Sequence, residues 1–395
     1  MHDVIVIGGG PAGSHIAYKL AGAGYGVVVL ERKERVGESV CCAGIIGREC
    51  MNSFNIGNSV ILRQANSARL FSPSGRCLEL WREEPQAFIV DRAAFDMVMA
   101  ERAQNKGAEY MLGTSVTDIA VGDDRVRVEA VRQGEKLNLA ARAVVVATGF
   151  SSRLTDKLGL GKVGDAIMGA QAEVEISGVN EVEVYFGREI APGFFAWLVP
   201  VSPTRALVGL LSRRSAELYL GKLISSLLAQ GKVVSAEVKP CYGGISLKPL
   251  PRTWGERVIV VGTAAGQVKP TTGGGIYYGL LCADIGADSL CRALENDAVS
   301  AENLAGYERE WRKKLGHELK VGYWARRFYE HLSDRQVDKL FDIIKSSGTD
   351  QALLKADDLS FDWHGEAVLR LLAHRAVAKA IEAMKIPCYN KHRMW

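Results

Sequence analysis

Asp3-Val4-Ile5-Val6-Ile7-Gly8-Gly9-Gly10-Pro11-Ala12-Gly13 is the stretch that decides the fold of this chain. Its first five residues read as a strand buried on both faces, the habit of a parallel sheet. Gly8, Gly10 and Gly13 then fill the three positions of a GxGxxG loop. The first glycine allows the tight turn, the second lets backbone approach a pyrophosphate, and the third lets helix and strand pack closely. Pro11 and Ala12 open a helix whose N-terminal N–H groups face the phosphates. The helical pattern runs to Leu20, and a second strand, Val27-Val28-Val29-Leu30, ends at Glu31. An acid at that point hydrogen-bonds a ribose diol and repels a 2′-phosphate. Arg32 beside it is a further candidate cofactor contact.

A second glycine loop lies far along the chain. Val258-Ile259-Val260-Val261 reads as another buried strand, and it feeds Gly262-Thr263-Ala264-Ala265-Gly266-Gln267-Val268-Lys269-Pro270-Thr271-Thr272-Gly273-Gly274-Gly275-Ile276. Two such loops imply one extended dinucleotide gripped at both ends by a discontinuous domain, which is how large flavoproteins hold FAD. Gly159-Leu160-Gly161-Lys162-Val163-Gly164 also spells GxGxxG. Residues 152–158 before it read as helix, so no strand feeds it and it is a linker turn. A nicotinamide donor then binds transiently elsewhere, or electrons come from a protein.

With 395 residues, 48% of them hydrophobic and 24% charged, the chain has room for two or three units with a large core. A net charge of +4, dispersed along the sequence, does not suggest nucleic-acid binding. The N-terminus enters a strand directly, so no signal or transit peptide is expected. No apolar stretch approaches the roughly 18 to 20 residues that span a bilayer. Eight cysteines, with no CxxC pair, suggest neither a disulfide framework nor a metal site. Free thiols in a reducing cytoplasm are the expectation, and the adjacent pair Cys41-Cys42 is the one unusual arrangement.

Hydrophobic patterning divides the rest. A short β-rich piece covers residues 67–90, and Val90-Asp91-Arg92 leads into a helix over 93–104. Residues 116–131 and 135–146 alternate like antiparallel strands, the latter ending in Ala147-Thr148-Gly149. Residues 166–250 are strand-rich, with one helix over 215–230, and 301 onwards reads as helical. The expected architecture is α/β. A Rossmann-like domain of residues 1–66, 91–160 and 253–300 carries an antiparallel-sheet insertion of 67–90 and 161–252, and a helical region covers 301–395.

With GGGPAG, the arginine of VDRAAFD, the ATG at 147–149 and the loop after Val261 in this order, the chain resembles the p-hydroxybenzoate-hydroxylase-like FAD superfamily. Within it, Cys42-Ala43-Gly44, Val184-Tyr185-Phe186-Gly187, Pro192-Gly193-Phe194-Phe195-Ala196-Trp197-Leu198-Val199-Pro200 and Lys269 to Tyr277 resemble the geranylgeranyl reductase family. The resemblance covers roughly residues 1–330. It implies tightly bound, non-covalent FAD, contacted by the residues of both loops, by Cys42-Ala43-Gly44 and by Arg92. Two positions depart from the pattern. Thr263 stands where relatives carry an aspartate for the ribityl chain, and the glycine pair that follows the tryptophan motif is only half present, as Gly209-Leu210-Leu211. The leucine narrows the expected substrate pocket.

The resemblance also implies a reaction, saturation of carbon–carbon double bonds in geranylgeranyl or longer prenyl chains, free or attached to a lipid or ring. A flavin that gives up hydride gathers negative charge, and Gly273-Gly274-Gly275 at a helix start could direct backbone N–H groups at it, a contribution worth about 3 kcal/mol per donor. An ordinary helix cap is the alternative. Arg92 either contacts FAD or pairs with Glu83 or Asp96. An ordinary thiol is mostly protonated at neutral pH, so Cys42 could donate the proton the alkene needs; it could equally be a small buried hydrophobe. Tyr185, Phe195, Trp197, Pro200 and Gly209 are the candidate tunnel wall, with plain core packing as the alternative. Tyr323, Trp324, Phe328 and Tyr329 beside Lys320, Arg326 and Arg327 could rest on a membrane surface or pack inward. NADPH, NADH or ferredoxin are the candidate donors. A flavin monooxygenase and an electron-transfer flavoprotein-like carrier to quinone are the rival functions; no metal and no nucleic acid are expected.

Overall fold

Val4, Ile5, Val6 and Ile7 have no polar side chain to keep in water, and the strand they form, His2–Ile7, is sealed on both faces. The computed structural model describes residues 1–150, 153–162, 164–356 and 360–383. His2–Ile7 sits at the centre of an eight-stranded sheet, between Glu135–Val146 and Val27–Leu30, parallel to both. The parallel order continues to Val258–Val260 on one side and Glu109–Met111 on the other. An antiparallel branch, Thr114–Val121 and Val126–Arg132, grows from the long strand Glu135–Val146. Helix Pro11–Gly22 packs against both Arg92–Gln104 and Ile276–Glu295. These elements belong to one of two units, made of residues 1–40, 92–166 and 245–317.

The second unit comprises residues 41–91, 167–244 and 318–395. Its seven-stranded sheet runs in the order Cys241–Ser246, Ala166–Glu175, Arg205–Ser212, Phe195–Pro200, Val182–Phe186, Ser67–Phe71, Cys77–Trp81. One face is covered by helix Ala216–Ala229, whose Leu220, Leu223, Ile224 and Leu227 meet Ala170, Ala172, Ala196, Leu198, Val208 and Leu210. A small sheet joins Ile45–Gly47, Ala87–Val90 and Ile61–Ala65. These pairings group residues 41–66 with the second unit, where the sequence reading placed them in the nucleotide domain. The helical tail forms no unit of its own. Residues 301–317 belong to the first unit and the remainder to the second. There Val337 and Phe341 of Asp334–Ser346, and Val377 and Ile381 of Arg375–Ala383, close over Leu78. The helix Asp334–Ser346 starts with a full capping box of Ser333 and Gln336.

Candidate functional site

Tertiary structure sets the two glycine loops against each other. Gly8 turns at a φ of +106°, so that the chain leaves the strand and enters helix Pro11–Gly22 within three residues. Gly262 opens the second loop, and a Cβ there would stand 3.0 Å from the Cβ of Ala12 in the first. Gly279, on the helix that follows the second loop, packs on the same two residues. Small residues are thus what lets the N-terminal ends of two helices converge. Behind them, Gln267 is wholly buried: its side-chain oxygen accepts from Gly262 N–H at 2.7 Å, and its amide nitrogen donates to Tyr307 Oη at 2.8 Å. Tyr307 passes the chain on to the Val260 carbonyl. The second loop is therefore held by a buried network with each amide end used.

The ends of the strands complete the cradle. Glu31 accepts from Gly9 N–H at 2.7 Å and from Lys33 N–H at 3.0 Å, which fixes its carboxylate at the tip of the second strand. Ala147 continues the pairing of the long strand with Ile7, and the next residue, Thr148, buries a hydroxyl oxygen that has no hydrogen-bond partner among the described residues. Among the described residues, a Cβ on Gly10 or Gly149 would meet nothing within 4 Å, so space lies open over both turns. An orphan hydroxyl and open backbone at the C-terminal ends of parallel strands, beside a helix N-terminus, fit a dinucleotide. Arg32 is exposed. Arg92 starts its helix and bonds Asp96 one turn on at 2.7 Å, the ion pair weighed in the sequence. Burial raises the Asp96 carboxyl even so, with Arg92 pulling the other way.

The second loop corrects one expectation. Of Gly273-Gly274-Gly275, the Gly273 N–H is already committed to the Lys269 carbonyl at 2.8 Å, so the turn consumes a donor the sequence reading assigned to charge stabilisation. Gly275 is the N-cap of Ile276–Glu295, with Pro270 buried behind the turn. A Cβ on Gly275 would lie 3.2 Å from Thr263 Oγ1, which places the departing residue at the helix start.

The two helices behind the loops are also linked by charge. His15 is buried, and its Nε2 lies 2.8 Å from Asp284 Oδ1, with Lys19 at 3.4 Å from the same oxygen. Burial pushes the Asp284 carboxyl up, but the hydrogen bond and charge of His15, with Lys19, outweigh it and hold the group below its ordinary range. A carboxyl depressed in the fold contributes stability that is present above its unfolded pKa and lost as pH falls through the folded one. Asp284→Asn is expected to flatten the acid limb of a melting-temperature profile below about pH 4. Thermal melts across that range check this; an acid limb identical to the parent's would count against the pair.

The second unit contributes the other candidates. Trp197 and Phe195 lie on the same face of its sheet, half-buried, with ring centroids 6.3 Å apart. Ala43 joins Trp197, Ile89, Val182 and Val199 in one apolar cluster, so the Cys42-Ala43-Gly44 loop and the tryptophan come together. Cys42 is half-buried, and its sulfur accepts from Gly44 N–H at 3.4 Å. Gly209 sits under the indole, where a Cβ would be 2.6 Å from Trp197 Cζ2. Leu211 does not simply fill a pocket. It pairs with Gly169 on the neighbouring strand, and a Cβ there would be 2.9 Å from the leucine's Cδ2, so that glycine makes room for it.

Two residues assigned to the wall stand on the opposite face of the sheet from Trp197. Tyr185 and Pro200 fall at the other parity of their strands. Tyr185 is buried in the cluster under helix Ala216–Ala229, stacked on Phe71 and bonded to Glu183. Pro200 pairs with Ala206 of that same face. On strand Val182–Phe186 the residue opposite Trp197 is Val184, and Phe186 on the same face stands opposite Phe195, 5.9 Å away between centroids. Gln171, buried between Cys42 and Trp197, escaped the sequence reading; its one signal was an amide in an otherwise apolar run, Ala166 to Ala172.

Free thiols were expected throughout, yet Cys41 and Cys241 form a disulfide across 200 residues, while Cys42, Cys50, Cys77, Cys282 and Cys291 are free. Cys388 lies outside the described residues. In the tail, Arg326 is buried over the Phe194 ring and Tyr329 packs on Phe186, which removes both from any exposed aromatic-basic face. Among the described residues, no helix is long and apolar enough to cross a membrane and no metal-binding cluster occurs.

Residues 2–175 match the family described as pyridine nucleotide-disulphide oxidoreductase. A digeranylgeranylglycerophospholipid reductase of Methanocaldococcus jannaschii is 31% identical, the match covering 88% of this chain and 91% of the relative. One of the same name from Methanosarcina acetivorans is 29% identical, covering 87% and 89%. Among solved structures, a geranylgeranyl bacteriochlorophyll reductase-like protein of Thermoplasma acidophilum aligns with a TM-score of 0.84 at 23% identity, over 97% of this chain and 98% of that one. A flavin-dependent halogenase aligns at 0.66 and 19%, over 97% and 77%. The fold is that of FAD-binding α/β flavoproteins with a Rossmann-type sheet.

Proposed function

The chain belongs to the digeranylgeranylglycerophospholipid reductase family, and from that premise we propose that it saturates the double bonds of geranylgeranyl chains carried by a lipid or related head group. The observation that carries the reading is the convergence of two glycine loops within the first unit; within the second, Trp197 and Phe195 stand half-buried on one face of the sheet. When bound and reduced by the electron donor, FAD would supply the hydride. Everything else falls to the residues of this chain.

Gly8, Gly10, Pro11, Ala12 and Gly13 hold the pyrophosphate against a helix start, and Glu31 takes the ribose diol. Arg92, Ala147, Thr148 and Gly149 complete that end, Thr148 with its orphan hydroxyl. Gly262, Thr263, Pro270, Gly274, Gly275 and Ile276 hold the other, where the helix dipole favours negative charge. Thr263→Val keeps the shape and removes a hydroxyl; it is expected to raise the Kd for FAD about ten-fold, the scale of one hydrogen bond. Calorimetric titration of the apoprotein checks this, and an unchanged Kd would remove Thr263 from the site. Trp197 and Phe195 present apolar surface to the prenyl chain, each CH₂ of which gains about 0.8 kcal/mol on burial. Cys42 gives its thiol proton to the double-bond carbon that does not take the hydride, and the thiolate regains a proton from solvent. FAD is held without a covalent bond, and the electron donor is NADPH, NADH or a ferredoxin-like protein.

The deciding experiment incubates dithionite-reduced, FAD-loaded protein with geranylgeranyl compounds of different head groups. Products heavier by two hydrogens per reduced bond are expected in the mass spectrum. A hydroxylated product formed with oxygen uptake, or reoxidation by quinone with every alkene intact, would overturn the reading.

A further inference from the structure

Gln171, Gly209 and Trp197 stand in one row across three adjacent strands, Gln171 opposite Gly209 and Gly209 opposite Trp197. Residues in such a row share a face, and the outer two are two strand spacings apart, about 9.5 Å. The absent side chain of Gly209 lets them meet: Trp197 Nε1–H donates to Gln171 Oε1 at 3.2 Å. The other end of the same amide is also in use, because Gln171 Nε2–H donates to the Cys42 carbonyl at 3.2 Å. Both partners fix the orientation of the amide, since a flip would set two donors against each other at the indole.

The residue before Cys42 is held as well. Cys41 is bonded to Cys241 at the start of Cys241–Ser246, the edge strand next to the one that carries Gln171. Two consecutive residues of the loop are thus tied to two consecutive strands, one by a covalent bond and one by a buried amide. A third tie, from Val90 N–H to the Gly44 carbonyl at 2.9 Å, closes the far end of the loop.

The structure assigns to Gln171 a positioning role: with the Cys41–Cys241 bridge it clamps the Cys42 loop at a set distance from the Trp197 indole. The assignment rests on the proposed roles of Cys42 and Trp197 for its catalytic consequence, though not for its geometry. Gln171 is assigned no contact with a reacting carbon. It acts through the two residues it joins.

The test uses the full FAD-loaded chain and three variants. Gln171→Glu keeps the acceptor for Trp197 and removes the donor to Cys42. Gln171→Leu removes both. Cys41→Ser with Cys241→Ser leaves the amide and opens the bridge. Alkylation of Cys42 by N-ethylmaleimide, followed by peptide mass spectrometry, is expected to quicken about five-fold in each, the scale of one lost anchor. The turnover number for prenyl reduction is expected to fall about ten-fold with KM little changed, as misplacement of a positioned group would produce. Should Gln171→Leu fail to fold, the near-isosteric Gln171→Glu and the serine pair still decide the matter. Cys42 alkylation at the parent rate in folded, FAD-loaded variants overturns the clamp, whatever happens to turnover. Faster alkylation with full turnover upholds the clamp and instead overturns the proposed part of Cys42 in the reaction.

Discussion

Gly13→Ala is expected to produce a chain that does not retain FAD. A Cβ at this position would stand 1.9 Å from the Gly8 carbonyl oxygen and 3.2 Å from the Ala147 Cβ. The first contact is with backbone, so no side chain can swing aside. Relief would require the helix Pro11–Gly22 to draw back from the turn, which takes its N-terminal N–H groups from the place where phosphates are to be held. Overpacking of this kind costs about 3 kcal/mol, roughly a hundred-fold in affinity. The ratio of flavin to protein absorbance in the purified variant, and a titration of the apoprotein with FAD, measure it. Flavin content equal to the parent's would mean that the first loop is not where the dinucleotide is held.

The second large effect is expected at Gly209. Its alanine variant should keep FAD and lose about a hundred-fold in kcat/KM for a geranylgeranyl compound, the cost attached to a displacement of about 1 Å in a positioned group. The added carbon would lie 2.6 Å from Trp197 Cζ2, 2.7 Å from Cε2 and 2.9 Å from the Ala170 carbonyl. The indole is the movable partner, and moving it breaks its bond to Gln171. Adding Trp197→Ala should relieve the two ring overlaps, though not the contact with the Ala170 carbonyl, and recover part of the thermal stability without recovering turnover. Recovery of both would show that the tryptophan is packing alone and that the prenyl wall lies elsewhere.

These two glycines were legible before the fold was known, for different reasons. Gly13 belongs to a local motif in which strand, turn and helix follow within a few residues, so its constraint is written in adjacent letters. Gly209 was visible only through a resemblance; its steric reason belongs to the strand pairing that sets it beside Trp197. Tyr185 and Pro200 show where this kind of reading fails. Alternation says that neighbouring residues of a strand face opposite ways, but when both faces are apolar it does not say which one carries the site. Here the face of Tyr185 was taken by helix Ala216–Ala229. Gln171 was missed because a lone amide in an apolar strand has no meaning until its two partners are known.

Sequence by itself determined the dinucleotide scaffold: the buried strands, the two glycine loops, Glu31 at the strand tip and the discontinuous order in which they come. Local sterics and hydrophobic periodicity act over a few residues, and both are read directly from the letters. Only the tertiary structure decided that Gly262 and Gly279 close on Ala12, that Gly273 spends its N–H on a turn, that Cys41 bonds Cys241, and that one amide joins Cys42 to Trp197. Each of those contacts depends on which strands lie side by side after folding. That order is set by the burial of whole faces, a sum over the unit that no short stretch of sequence contains.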